Sequence, residues 1–153
     1  MKRTALTAVA VLFVTPVLWA QTAPASFLSR ADVLAQLQQA ARTSPDMMVA
    51  RMTNTDAYRV NVVKRTAPQG AIAHAVGTEV HYIIEGAATL VTGGAIARTP
   101  GGGAASATAA TIQGGETRTV HQGDIVIVPV NTPHWYSHIE QPLTYLEVRF
   151  DVK

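Results

Sequence analysis

The sequence predicts an all-β domain, a barrel or sandwich, preceded by one short helix. Three observations carry this. Short segments rich in β-branched and aromatic residues recur from Met47 to the C-terminus. Glycine and proline punctuate them at Gly86, Gly93-Gly94, Gly114-Gly115, Gly123 and Pro142. No helical periodicity lies between them, so nothing suggests strand–helix–strand units. The chain has 153 residues, enough for one domain. With 48% hydrophobic and 14% charged residues, eleven glycines and eight prolines, it suits a compact, turn-rich domain.

The first twenty residues read separately. Lys2 and Arg3 form a positive start, Ala5 to Val14 is an unbroken run without charge, and Pro16 breaks it before Leu18-Trp19-Ala20. This is the pattern of a cleaved signal segment over 1–20, with a cut after Ala20 or after Ala23. The apolar stretch from Ala5 to Trp19 falls short of the roughly 20 residues that span a bilayer. Removing 1–20 takes Lys2 and Arg3 away. The 12 basic residues fall to 10, balanced against 10 acidic ones, and the high pI supports no nucleic-acid partner. The expectation is a periplasmic or secreted protein with no membrane association after cleavage. The absence of cysteine excludes disulfides and thiolate chemistry.

Residues 21–45 read as a spacer and helix. Gln21 to Ser26 is built of small residues. Ser29 with Asp32 forms a variant capping box, and Leu28 and Val33 are spaced for a hydrophobic staple. Val33, Leu34 and Leu37 make one apolar stripe, and Ser44-Pro45 ends the element after about three turns. So narrow a stripe predicts packing on the outside of a sheet or on a neighbouring subunit.

From 46 to 153 the period is that of strands. Tyr58–Arg65 alternates, and Val80–Ile84, Ala88–Thr92, Glu116–Val120, Asp124–Val128, Trp135–Ile139 and Leu143–Phe150 follow as short strands. Gly86 and Gly123-Asp124 read as hairpin turns. Gly93 to Gly115, rich in Gly, Ala, Thr and Ser, reads as a flexible surface loop or a lid. On the last strand Tyr145, Glu147 and Arg149 share one face, expected to be solvated. Leu146, Val148 and Phe150 share the other, expected to be core.

The histidines carry the chemistry. His74, Glu79 and His81 form one group and His134 and His138 another. Glu79 and His81, two apart on a strand, share a face, and so would His134 and His138 on a regular strand. Imidazoles with a carboxylate suit a borderline divalent ion such as Fe, Mn, Zn or Ni. There is no Gly-x-Ser-x-Gly elbow, Walker loop, dinucleotide fingerprint or His-Glu-x-x-His.

In the string HAVGTEVHYIIEG, His74, Glu79 and Gly86 reproduce the spacing of the first cupin motif. Gly123, Pro129 and His134 in GDIVIVPVNTPHWYSH reproduce the second. The chain from about Val60 to Phe150 therefore resembles the cupins. The resemblance implies a double-stranded β-helix, or jelly-roll, barrel with a metal at its open end and a homodimeric assembly. Asn131 stands where the family has glycine and tolerates the same left-handed backbone. Two positions depart from the family: Ile72 stands where its first histidine falls, and His138 where its final asparagine falls. Direct carry-over leaves His74, Glu79 and His134 as ligands, and His81 becomes the candidate for the fourth. His138 and Tyr136 are expected in the pocket or behind the ligands. Tyr82 and Trp135 are expected in core or rim packing, and His121 at an exposed turn.

Two functions follow from the resemblance. One is a metal-dependent enzyme of dioxygenase, isomerase or lyase type acting on a small organic molecule. The other is a non-catalytic module that binds or senses a small molecule. Ile83, Val91, Ile125, Ile127 and Val128 suggest an apolar interior and hence an apolar or aromatic ligand.

Overall fold

The computed structural model describes residues 24–98 and 109–151. The signal segment and the centre of the 93–115 stretch lie outside these residues. No helix among the described residues is long and apolar enough to cross a membrane.

Among the described residues one helix, α1 (Arg30–Ala41), precedes eight strands. Its capping box forms as the sequence predicts: the Asp32 N–H donates to Ser29 Oγ at 3.1 Å, and the Ser29 N–H donates to Asp32 Oδ2 at 3.1 Å. Two orphan donors of the first turn are thereby satisfied. Leu37, flanked by Val33 and Ala40, packs on Met48, Ala50 and Val62, while Leu34 stays exposed. The helix thus lies on the outside of the sheet.

The strands are β1 (Met47–Asn54), β2 (Tyr58–Arg65), β3 (Thr78–Thr92), β4 (Ala95–Ala97), β5 (Thr111–Gln113), β6 (Glu116–His121), β7 (Ile125–Val128) and β8 (His134–Phe150). All pairings are antiparallel, in the order β1-β2-β8-β3-β6, with β7 also on β3. The edge strand β1 carries a bulge after Arg51, whose backbone N–H donates to Gln36 Oε1 of the helix at 2.9 Å. One donor of that open edge is thus covered.

Four short strands of the sequence reading are two long ones. Val80–Ile84 and Ala88–Thr92 are halves of the 15-residue β3, and Trp135–Ile139 and Leu143–Phe150 are halves of the 17-residue β8. Gly86 is therefore not a hairpin turn. It sits in β3 at φ 89°, where the register with β8 shifts, facing Pro142. A Cβ at Gly86 would lie 2.1 Å from the Pro142 carbonyl oxygen, so only glycine permits the approach. Gly123 is not a hairpin turn between its neighbours either. β6 and β7 run in succession along β3, and the Gly123 N–H donates to the Ile83 carbonyl at 2.9 Å. All three courses break at one level, and there the long strands bend to form the jelly roll.

Ala95–Ala97 pairs with Thr111–Gln113, so both ends of the 93–115 stretch form a two-stranded ribbon and not an irregular loop. The interior core consists of Val63, Ile83, Leu90, Val120, Tyr136, Leu143 and Tyr145.

Candidate metal centre

The cross-strand register sets the inward face as a series of rungs. Glu79 of β3 stands opposite Arg149 of β8, which stands opposite Arg59 of β2. The next rung is His81, Glu147, Asn61 and, on β1, Arg51. The third is Ile83, Tyr145, Val63 and Val49. The polar rungs lie at one end of the barrel and the apolar core fills the other.

This reverses the reading of the last strand. Tyr145, Glu147 and Arg149 face inward, and Tyr145 is buried. Leu146 packs outward, with the cluster beneath α1. The helix must cover an apolar face, and Leu146 of β8 supplies part of it. The apolar-interior reading holds for Ile83, Val91 and Val128, which are buried, but not for the rest of it. Ile125 and Ile127 are about two-thirds exposed, and the cavity wall carries arginines, Asn61 and Glu147.

Glu79 is the hub, buried to 2% exposure. Arg149 Nε donates to its Oε1 at 2.7 Å, and Arg149 Nη2 also contacts that oxygen. His74 Nε2 lies 3.2 Å from Oε1, while His81 Nε2 and His134 Nε2 lie 3.2 and 3.3 Å from Oε2. Burial alone would raise the Glu79 pKa. The hydrogen bonds and charges of His134 and His81 outweigh it, holding the carboxyl far below the usual range.

Each histidine has its second nitrogen committed or its first one claimed. His134 Nδ1 lies 3.1 Å from the Thr132 carbonyl, which can only accept, so Nδ1 carries a proton. The Nε2 of His134 then meets a carboxylate oxygen, and a proton or a cation must stand between them. His74 Nε2 lies 2.8 Å from Arg149 Nη2, which can only donate, so this nitrogen presents its lone pair. Burial, with Arg149 and His134, outweighs Glu79 and lowers the His74 pKa, favouring the neutral ring. His81 Nδ1 lies 3.0 Å from the Tyr136 hydroxyl. Burial pushes the Tyr136 pKa well up, so it stays a phenol and donates to Nδ1, leaving the Nε2 proton for Glu79.

Two overlapping triples could hold an ion: His74, Glu79 and His134, and Glu79, His81 and Glu147, each with its donor atoms within 4.8 Å of one another. The four residues expected as ligands do not converge as one group. Ligands about 2.1 Å from a common ion stand about 3.0–3.4 Å apart. In the first triple His74 Nε2 lies 3.2 Å from Glu79 Oε1 and His134 Nε2 lies 3.3 Å from Oε2, so each imidazole stands at ligand spacing from one of the two carboxylate oxygens. The Nδ1–H to carbonyl bond behind His134 is the usual support of a metal-bound imidazole. The donor set therefore fits a divalent ion, with Arg149 as its competitor for Glu79 and His74.

Local structure explains how the motifs meet. Asn131, at φ 62°, donates its N–H to the His74 carbonyl at 2.8 Å, and Ile72 and His134 exchange backbone hydrogen bonds at 3.1 and 2.8 Å. Position 72 thus lies beside His134 and lines the same cavity as His74. Gly77 lets β3 begin close to Arg149, whose Cγ would be 2.7 Å from a Cβ there.

His138 is not in the pocket. Tyr136 pairs with Leu90 and His138 with the adjacent Thr89, so Ser137 is an extra residue that reverses the strand's parity. His138 is exposed as a result, whereas Tyr136 is buried beneath His81. His121 is exposed beside Asp124 at its turn, and Trp135 Nε1 donates to the Gln69 carbonyl at 2.7 Å. Reading histidines alone missed Arg149, Glu147 and Asn61. Asn61 Nδ2 donates to Glu147 Oε1 at 2.9 Å across β2 and β8.

The same architecture recurs in solved structures. KdgF from Halomonas sp. is similar at 16% identity and a TM-score of 0.53, over 72% of this chain and 84% of that one. The cupin domain of Cnp3 from Schizosaccharomyces pombe is similar at 9% identity and 0.52, over 69% and 61%. The chain has the cupin fold. A third similar structure is HppE in its Fe(II) form, at 13% identity and 0.51, where the match covers 68% of this chain and half of that longer one. No family model matches this sequence, and no curated protein matches it.

Proposed function

We propose that this cupin binds one divalent metal ion through His74, Glu79 and His134 and acts as a metal-dependent enzyme on a small organic molecule. The observation that carries the proposal is the convergence of donors. Two imidazole nitrogens face one buried carboxylate at ligand spacing, and one imidazole is held in the metal-binding tautomer by the Thr132 carbonyl. The likeness to Fe(II)-bound HppE supports the same chemistry.

A bound ion would supply Lewis acidity, or a site for dioxygen where the ion is iron, at positions the protein leaves free. The chain's own residues do the rest. His81 and Tyr136 fix the second oxygen of Glu79, and Thr132 orients His134. A cavity of about 440 Å³, within the size range of small-molecule sites, borders the centre at His74 and Arg149.

Elemental analysis of the protein purified without added metal, beside His134→Ala, tests this reading. One equivalent of iron, manganese, nickel or zinc is expected in the wild type and none in the variant. A wild type that stays empty after these metals are offered would sink it.

A non-catalytic ligand-binding module is the second reading, and one observation favours it: the Arg149 guanidinium bridges Glu79 and His74 and occupies the lone pair that His74 would offer an ion. Ile72→His separates the two. Position 72 shares the cavity wall with His74, so the variant should gain a ligand and bind metal at least about 10-fold more tightly. Unchanged affinity would favour the metal-free module.

A further inference from the structure

The same cavity carries charge that the metal centre does not use. Arg51, Arg59, Arg65 and Arg149 line it, and Glu147 is the one carboxylate on its wall. Arg149 is spent on Glu79. Among the described residues, no carboxylate lies within 4 Å of the guanidinium of Arg51, Arg59 or Arg65. Glu147 accepts instead from Asn61.

Position makes this more than a solvated surface. Arg59 stands directly opposite Arg149 in the β2–β8 register, and like charges so paired repel. The mouth nearby also holds Asp56 and Asp151, yet neither pairs with Arg59. Arg65 lies further along the same inward face of β2. Its Nε donates to the Tyr145 hydroxyl at 3.1 Å, and its guanidinium sits 5.4 and 5.9 Å from the Tyr136 and Tyr145 ring centres. Among the described residues neither terminal nitrogen makes a hydrogen bond, while two buried rings hold the group in place. Guanidinium forks of this kind match carboxylate and phosphate oxygens in pairs.

We infer that the cavity takes a small organic anion, a carboxylate or a phosphate ester, recognised by Arg59 and Arg65. This deepens the proposed function, because it names the substrate class of the same site. An anion beside Arg59 would neutralise the cross-strand repulsion and lie next to the Arg149–His74 contact, within reach of the metal triple.

The test is calorimetric titration of the metal-stripped full chain with inorganic phosphate and, separately, succinate, at constant ionic strength. The same is done for Arg59→Gln and Arg65→Gln, with thermal melts confirming that each variant folds. Saturable binding of at least one anion is expected, weakened at least about 10-fold by one or both substitutions. Phosphate alone would assign a phosphate ester, and succinate alone a carboxylate. Neither anion binding below about 10 mM, or binding unchanged in both variants, would overturn the inference. Metal content of the same preparations keeps the two ideas apart. Metal without anion binding sinks only the substrate class, and anion binding without metal sinks only the enzyme.

Discussion

Glu79→Gln is expected to abolish metal binding and to destabilise the fold in one step. The amide keeps the shape of the carboxylate but loses its charge, so Arg149 is left part-buried with no carboxylate partner. Breaking a buried pair from one side costs about 3 kcal/mol or more. The metal loses the anionic ligand shared by both triples, and affinity should fall at least about 100-fold. The sign of the acid limb follows as well. The Glu79 pKa is depressed in the folded chain, so its stabilisation is complete above the unfolded carboxyl pKa of about 4.3 and is lost as pH falls below it. Denaturant melts between neutral pH and pH 3 should therefore show a shallower decline in Glu79→Gln than in wild type. Parallel acid limbs, or retained metal, would contradict the assignment of Glu79 as the hub.

Gly86→Ala should be the most damaging single methyl in the barrel. At φ 89° an alanine is already strained, and its Cβ would sit 2.1 Å from the Pro142 carbonyl oxygen. The backbone of β8 cannot yield without opening the β3–β8 pair that carries both halves of the site. A loss of about 3 kcal/mol or more is expected. Gly93→Ala is the control: its φ is 75°, but nothing lies within 4 Å of the added carbon. It should cost about 1 kcal/mol, the conformational part alone. Equal melting points for the two variants would show that the approach of Gly86 to Pro142 does not hold the bend.

The two motifs made the fold and most of the site readable, because spacing along a strand fixes which side chains share a face. His74, Glu79 and His134 do meet, His81 falls with Glu79 and Glu147 in a second group, and the capping box at Ser29 forms. What spacing could not supply is which face is inside. The alternation of Leu143–Phe150 is equally consistent with either choice, and charge on one face points to solvent. The deciding information was present elsewhere. A narrow apolar stripe on α1 needs an apolar partner, and Val62 with Leu146 provides it only by pointing outward. Arg59, Asn61, Glu147 and Arg149 are then turned inward. His138 departs from the expected place for a different reason. Nothing in Trp135-Tyr136-Ser137 announces the bulge that reverses its parity; only the register with β3 reveals it.

The central claim is that the Nε2 atoms of His74 and His134 present lone pairs to one ion beside Glu79. Nitrogen-15 NMR of the imidazoles, recorded before and after zinc is added, measures this most directly. Both rings should end with protonated Nδ1 and metal-bound Nε2, with His81 keeping its proton on Nε2. Imidazole shifts at His74 and His134 that ignore the metal, or a metal-bound His81 in place of either, would contradict it.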